Sequence, residues 1–262
     1  MTINDLRKIG SQLLEMVPRY RFAEDAQVAL KRGAGGDKSF PMDIRAEEII
    51  FSCLRSLDEP LHIISEEQGI EDIGKGGLSV IIDPVDGSKN AITGLPVFST
   101  SIAVAEGGRI GDIIMGYVIN LMNGDEFWAE RGRGAFLNGR RINTQASDEL
   151  IMALYEAQNP ARDISMVMTI LSKFRRTRCL GSVALDLAYL SMGAASAFIN
   201  PFPSRSFDFA GGWLIVREAG GVFTDMSGNA LESVETGLVH SAPLLVSANE
   251  KIHDKLLKFI SV

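Results

Sequence analysis

The stretch Ile81-Ile82-Asp83-Pro84-Val85-Asp86-Gly87-Ser88 places two carboxylates and a hydroxyl at one tight turn. Val80, Ile81 and Ile82 form an apolar run that spells a buried strand. Pro84 has no N–H to give a sheet ladder, so the strand is expected to stop there. Gly87 lets the backbone fold sharply or approach a ligand closely. Two aspartates three residues apart repel one another unless a cation lies between them, and hard oxygen donors favour Mg²⁺ or a relative of it. The same residue types also make an ordinary Asx turn, and this segment alone leaves both readings open.

Four more acids stand beside apolar strand ends or helix starts: Asp43, Glu66, Glu67 and Asp208. Each has a local role available. Asp43 follows Pro41-Met42 and could cap a helix over 43–57. Asp208 could complement the dipole of the helix it opens, and Glu66 and Glu67 could sit in a solvated loop. Asp208, however, is followed by Phe209-Ala210-Gly211-Gly212. Two consecutive glycines weaken a helix by about 1 kcal/mol each relative to alanine, so something is expected to pack against that backbone. A helix start pressed onto a strand end would bring Asp208 to Asp83 and Asp86. With Glu66, these acids could hold two divalent ions.

The elements that must position these residues follow from periodicity. Leu6, Ile9, Leu13, Met16, Val17 and Tyr20 have helical spacing within 3–31, bent or interrupted at Pro18. Gly33-Ala34-Gly35-Gly36-Asp37-Lys38 is a flexible loop; it lacks the spacing and the preceding strand of a phosphate-cradling P-loop. Strands are expected at 61–65, 78–83, 98–105, 110–119 and 125–130, and Asn138-Gly139 suits a type I′ hairpin turn. The first half therefore reads as helices followed by a mostly antiparallel sheet. After about residue 145 strands (151–155, 176–180, 196–200, 221–224, 243–247) alternate with helices (160–173, 182–192, 208–219, 249–260), an α/β rhythm. Two units follow, 1–145 and 146–262.

A chain of 262 residues that is 46% hydrophobic can bury a large core. The 26 basic and 33 acidic residues give a net charge of −7 without a long basic run, which argues against nucleic acid as a main partner. No apolar run approaches the roughly 18 residues of a membrane span, and the N-terminus lacks a signal-peptide core. Cys53 and Cys179 are expected to be buried, reduced thiols of a cytoplasmic protein. His62, His240 and His253 show no ligand-like spacing and are expected to be structural or surface residues.

Three ordered motifs, Ser65-Glu66-Glu67, Asp83-Pro84-Val85-Asp86-Gly87-Ser88 and Phe207-Asp208-Phe209-Ala210-Gly211-Gly212, resemble the inositol monophosphatase family, part of a metal-dependent, lithium-inhibited phosphatase superfamily that includes fructose-1,6-bisphosphatases. The likeness runs over nearly the whole chain, through Ala129–Gly139, Arg178–Ser182 and Glu218–Gly221. It implies a layered αβαβα sandwich of the sugar phosphatase type, commonly dimeric. It implies that Glu66, Asp83 and the Val85 carbonyl hold one Mg²⁺, that Asp83, Asp86 and Asp208 hold a second, and that a third leans on Glu66. Asp43 and Ser88 would orient and deprotonate water, the Gly87 and Ser88 amides would bind phosphate, and Gly181 and Ser182 would line the sugar side.

Departures bear on the substrate. Ser88 stands where the family usually has Thr, and Phe207 where it has Trp. The family's inositol-binding acid falls near Pro201, and the segment offers Arg205 instead. Arg205 could bind a second phosphate or simply face solvent. The microbial dual-specificity type, acting on inositol 1-phosphate and fructose 1,6-bisphosphate, is therefore expected. A phosphatase for 3′-phosphoadenosine 5′-phosphate or NADP is the alternative, and a non-catalytic metal or sugar-phosphate binding module a further rival. An aspartyl-nucleophile phosphatase would need Asp-x-Asp, whereas the spacing here is Asp83-x-x-Asp86.

Overall fold

A computed structural model describes residues 1–21 and 23–260; Phe22, which falls in the helical stretch expected over 3–31, lies outside the described residues, as do Ser261 and Val262. The apolar stripe Leu6, Ile9, Leu13, Met16 and Val17 forms the buried face of α1 (Ile3–Tyr20), and the helix ends two residues after Pro18 rather than running on toward 31. A small hairpin follows, β1 (Lys31–Arg32) and β2 (Lys38–Ser39), with the Gly33–Asp37 loop at its tip. Next, α2 (Pro41–Arg55) starts at a proline, which suits the first turn of a helix.

Eight strands of the first half form one sheet. They are β3 (Leu61–Ser65), β4 (Gly69–Ile73), β5 (Leu78–Asp86), β6 (Ser99–Ala105), β7 (Ile113–Asn120), β8 (Glu126–Glu130), β9 (Gly134–Leu137) and β10 (Arg140–Ile142), with the short helix α3 (Ser88–Thr93) after β5. Their order is β10-β9-β8-β7-β6-β5-β3-β4, and every neighbouring pair is antiparallel except β3 and β5. The Asn138-Gly139 turn has φ of 50° and 78°, the two positive values a type I′ turn requires.

The second half supplies β11 (Met152–Tyr155), α4 (Pro160–Leu171), β12 (Arg176–Arg178), α5 (Val183–Ser191), β13 (Ala197–Arg205), α6 (Ser206–Glu218), β14 (Val222–Thr224), β15 (His240–Ser247) and α7 (Glu250–Ile260). Its sheet has the order β12-β11-β13-β15-β14, parallel across β12-β11-β13 and antiparallel beyond.

Alternation along the strands divides the core into layers. Val80 and Ile82 of β5 join α1 and α2 on one face of the large sheet, whereas Ile81 joins α5 and α6 on the other. That middle core also takes Phe198, Leu244 and Val246 from the small sheet. The outer face of the small sheet packs Ala197, Ile199 and Leu245 against Val167 and Ile170 of α4 and Ile252 and Leu256 of α7. The stacking is helix, sheet, helix, sheet, helix: the αβαβα sandwich.

Three sequence expectations need correction. The β5 strand does not stop at Pro84. It runs to Asp86 through a register shift, in which Asp83 faces Ser101 and Asp86 faces Ser99. One extra residue on β5 is a bulge, so the N–H that Pro84 lacks is never asked for. The bulge also matters for the carboxylates, because residues three apart in a regular strand point to opposite faces and the extra residue returns Asp86 to the side of Asp83. Strand β4, after Glu66-Glu67, is present although no strand was expected there. Finally, the thiols are less buried than expected: Cys179 is exposed and Cys53 is part-buried, its sulfur 3.5 Å from Gln12 Oε1 between α2 and α1.

The glycine pair in α6 behaves as its cost implied. A Cβ at Gly211 would lie 2.7 Å from Ser101 Oγ, and one at Gly212 would lie 2.7 Å from Leu187 Cβ. From the sheet side, a Cβ at Gly116 would meet the Gly211 carbonyl oxygen at 2.4 Å. Backbone therefore touches backbone where α6 crosses β7, and this seats the start of α6 on the end of β5. Among the described residues no helix is long and apolar enough to cross a membrane.

Candidate active site

Glu66, Asp83, Asp86 and Asp208 meet where β3 and β5 end and α6 begins. Glu66 follows β3, its N–H donating to the Ile82 carbonyl at 3.3 Å. Asp83 is 3% and Asp86 9% exposed on the bulged end of β5. Asp208 is the third residue of α6, and its Oδ2 accepts the Arg205 N–H at 2.7 Å, closing the helix start. The capping role and proximity to Asp83 coexist.

Asp86 is held by the second half of the chain. Its Oδ2 accepts from Ser182 Oγ at 2.5 Å and from the Ala184 N–H at 2.8 Å, and its Oδ1 accepts from the Val183 N–H at 3.2 Å. These donors are the N-terminus of α5, where the helix dipole favours an anion. Ser182 is fully buried with its hydroxyl on Asp86. The structure thus gives Ser182 a carboxylate to orient, a different position from the sugar-facing one the resemblance implied.

Arg205 is not a solvent-facing charge. Its side chain is 8% exposed and stacks over the Phe207 ring at 4.8 Å. Its Nη2 lies 3.6 Å from Glu66 Oε1 and 3.5 Å from Asp208 Oδ1. Its Nη1 lies 2.8 Å from Asp37 Oδ2 and donates to the Gly35 carbonyl at 2.7 Å. A substrate phosphate would have to compete with three carboxylates for this guanidinium.

The Gly33–Asp37 loop is strapped over the same acids. The Ala34 and Gly35 N–H groups donate to the Glu67 and Glu66 carbonyls at 3.2 and 2.8 Å. A Cβ at Gly35 would come within 2.9 Å of the Phe207 ring and 3.1 Å of Glu66 Cγ, so glycine is required for this approach.

The donor set suits a hard divalent cation. Asp83 Oδ1 is buried and meets no donor. Burial, then Glu66 and its acidic neighbours, pushes Asp83 well above the ordinary carboxylate range, and burial followed by Asp208 does the same to Glu66. Burial raises Asp86 to about 7 and also raises Asp208. Arg205 is the guanidinium that acts on Glu66, Asp83 and Asp208 and does not reach Asp86, so the acids outnumber it, an arrangement that oxygen-seeking cations would complement. As the side chains stand, no three Asp, Glu, His or Cys groups among the described residues close on a single point. Mutual repulsion and the pull of Arg205 on Glu66 and Asp208 explain the spread.

Asp43, on α2, lies near enough to Glu66 for its charge to raise the Glu66 carboxyl. It is 2% exposed, and its Oδ2 accepts the Phe40 N–H at 2.7 Å. Burial raises it to about 7, opposed by hydrogen bonds to Phe40 and to the Ser88 hydroxyl. Ser88 Oγ is also 2.7 Å from the Val85 carbonyl oxygen. One hydroxyl proton can serve only one of these acceptors at a time, so the Ser88 hydroxyl can turn between the Val85 carbonyl and the Asp43 carboxyl group. Gly87, with φ of 91°, precedes α3, and a Cβ there would meet the Gly181 carbonyl at 3.0 Å.

Sequence inspection missed three acids, Glu47, Glu156 and Asp186, and read Glu67 only as a possible loop residue. Glu47 accepts Ser65 Oγ at 2.5 Å and the Gln68 N–H at 3.0 Å, bracing the end of β3. Glu67 is held by the Ser39 hydroxyl. Glu156 and the fully buried Asp186 face one another behind Gly181. Glu47 could have been found from its place on the inward stripe of α2; Glu156 and Asp186 carry no local signal. His62 pairs with Asp72 at 2.7 Å, and His253 lies between Thr224 and Ser247 at 3.0 Å each.

These raised carboxyls set a pH dependence. Folded Asp43 and Asp86 keep their protons to about pH 7, whereas unfolded aspartates release them near 4, so the folded chain binds more protons between those values. Its stability therefore falls as pH rises through that window. In EDTA the midpoint of thermal unfolding should drop by about 5 °C or more between pH 5 and 7.5. Adding Mg²⁺ should restore it at pH 7.5 and change little at pH 5. A midpoint that is flat with pH and indifferent to Mg²⁺ would contradict the buried charge cluster.

The chain as a whole is similar to known proteins. The model of the inositol monophosphatase family matches residues 7–261. The fructose-1,6-bisphosphatase/inositol-1-monophosphatase of Methanothermobacter thermautotrophicus is 34% identical over 250 residues, covering 91% of this chain and 89% of that protein. The bifunctional NADP phosphatase/NAD kinase of Methanococcus maripaludis is 32% identical over 259 residues, covering 89% of this chain but 44% of that protein. A solved structure of an inositol monophosphatase–fructose 1,6-bisphosphatase superposes with a TM-score of 0.87 at 25% identity, covering 99% of this chain and 100% of the other.

Proposed function

This chain belongs to the inositol monophosphatase family, and on that premise we propose that it hydrolyses the phosphate monoester of a small sugar or polyol, inositol 1-phosphate and fructose 1,6-bisphosphate foremost. The observation that carries the proposal is the under-compensated set of buried Asp83 and Asp86 with part-buried Glu66 and Asp208, beside the Gly87-Ser88 turn.

Phosphate monoesters are among the slowest esters to hydrolyse unaided, so the site must supply much of the barrier reduction. Two to three Mg²⁺ ions would be held by Glu66, Asp83 and the Val85 carbonyl and by Asp83, Asp86 and Asp208; bound there, they would neutralise phosphoryl charge and acidify water. The residues of the chain do the remainder. Asp43 and Ser88 orient the attacking water and take its proton, the Asp43–Ser88 contact giving that proton a path. The Gly87 and Ser88 amides hold phosphate oxygens. The α5 N-terminus fixes Asp86, so the site is complete only when both halves are packed. The spans 1–145 and 146–262 are accordingly two structural units sharing the middle core. Arg205 is the candidate for a second phosphate once the acids it pairs with are otherwise neutralised.

The two free thiols accord with a reducing cytoplasm, and a homodimer is the assembly expected of such an enzyme. The NADP phosphatase named among the relatives favours one second reading, hydrolysis of a nucleotide 2′- or 3′-phosphate. Purified protein with Mg²⁺ should release phosphate faster from inositol 1-phosphate or fructose 1,6-bisphosphate than from NADP or 3′-phosphoadenosine 5′-phosphate. The reverse order would replace the substrate class.

A further inference from the structure

We propose that Glu156 selects the alcohol half of the substrate, its carboxylate accepting hydrogen bonds from hydroxyls of a sugar or polyol whose phosphate lies against Gly87 and Ser88. This assignment rests on the phosphatase reading above.

Glu156 directly follows β11, and its N–H donates to the Ile199 carbonyl on β13 at 3.1 Å. Strands β12, β11 and β13 run parallel, so Glu156 leaves the sheet at the C-terminal edge, where open α/β sheets take their ligands. Its Oε1 accepts the Gly181 N–H at 3.1 Å. The Gly181 carbonyl in turn packs on Gly87, 3.0 Å from where a Cβ there would be, and Asn90 Nδ2 ties the Leu180 carbonyl to α3 at 2.7 Å. One residue, Gly181, thus stands between the Glu156 carboxylate and the glycine proposed to cradle phosphate. The proposal places the alcohol esterified to that phosphate on the Gly181 side of Gly87.

The rear of Glu156 is backed by Asp186. Asp186 is fully buried, and neither of its oxygens meets an N–H or hydroxyl donor; what faces it is the Glu156 carboxyl group. Burial, then the Glu156 charge, pushes Asp186 well above the ordinary carboxylate range, and burial raises Glu156 as well, opposed by its contact with Asp186. Asp186 is the fully buried member of the pair and Glu156 the half-buried one. No basic side chain pairs with Glu156 among the described residues; the charges near it are the acids Asp86 and Asp208. A carboxylate is an acceptor only, so what it can take from a ligand is O–H or N–H donors. A second phosphate placed at the same spot would be repelled.

Glu156→Gln keeps the length and the oxygen that accepts from Gly181, while removing the charge and turning the second oxygen into an NH2 donor. With Mg²⁺, this variant should raise KM for myo-inositol 1-phosphate about tenfold, the loss expected of a hydrogen bond to a charged group. Its kcat and KM for p-nitrophenyl phosphate, which has no hydroxyls on the alcohol side, should stay within about twofold of wild type, since no such bond is lost. Glu156→Asp should recover part of the inositol 1-phosphate KM. Equal losses on both substrates would mean that Glu156 only supports the Gly181 loop, and unchanged KM on inositol 1-phosphate would mean that it touches nothing; either result overturns the assignment. Wild-type protein inert toward both compounds would take down the phosphatase reading itself, a distinguishable failure.

Discussion

Asp83→Asn is expected to lower kcat at least ~10³-fold while raising the unfolding temperature in EDTA at neutral pH. Among the four acids proposed to hold cations, Asp83 is the one with an oxygen left without a donor: it is 3% exposed, with Glu66, Asp86 and Asp208 around it. An uncompensated buried charge destabilises the fold, and an asparagine amide of the same shape removes that charge and offers N–H donors to its acidic neighbours. The substitution also strips the one side chain proposed to serve both cation positions. Initial rates on myo-inositol 1-phosphate at saturating Mg²⁺, paired with calorimetric unfolding, check both halves. Near-native turnover would mean that the cluster is structural. Lost activity with lowered stability would mean that the carboxylate was internally satisfied after all.

Asp43→Asn is expected to lower kcat by about 10²- to 10⁴-fold, the range for loss of a positioned general base. Asp43 has a second duty, because its Oδ2 takes the Phe40 N–H at 2.7 Å and so closes the start of α2. The two duties separate in measurement. If capping were its whole role, the rate would stay within about threefold and the unfolding midpoint would move by no more than about 2–4 °C, the full loss of an ordinary cap. A large loss of kcat with a midpoint within that range assigns the proton transfer to Asp43, since asparagine keeps the acceptor oxygen.

Three acids of the proposed cation-binding set were legible because each sits beside strong local punctuation. Asp83 and Asp86 flank a proline at the end of an apolar run, and Asp208 precedes a glycine pair whose cost only close packing explains. The layering was legible through the resemblance and through the change of rhythm after residue 145. What escaped was set by tertiary contact. The bulge at Pro84 comes from pairing with β6, which the β5 sequence does not encode. Arg205 looked free because Asp37, more than a hundred and sixty positions earlier, reaches it only when the Gly33–Asp37 loop folds over Glu66. Glu156 ends an ordinary strand, Met152-Ala153-Leu154-Tyr155, and becomes interesting only because parallel pairing delivers it behind Gly181.

The decisive measurement is phosphate release from myo-inositol 1-phosphate by EDTA-stripped protein as Mg²⁺ is titrated back. Turnover should start from background, rise with an upward-curved dependence on ion concentration because more than one ion is needed, and return to background on renewed chelation. Turnover that persists undiminished in excess EDTA would contradict the assignment of Glu66, Asp83, Asp86 and Asp208 to cations.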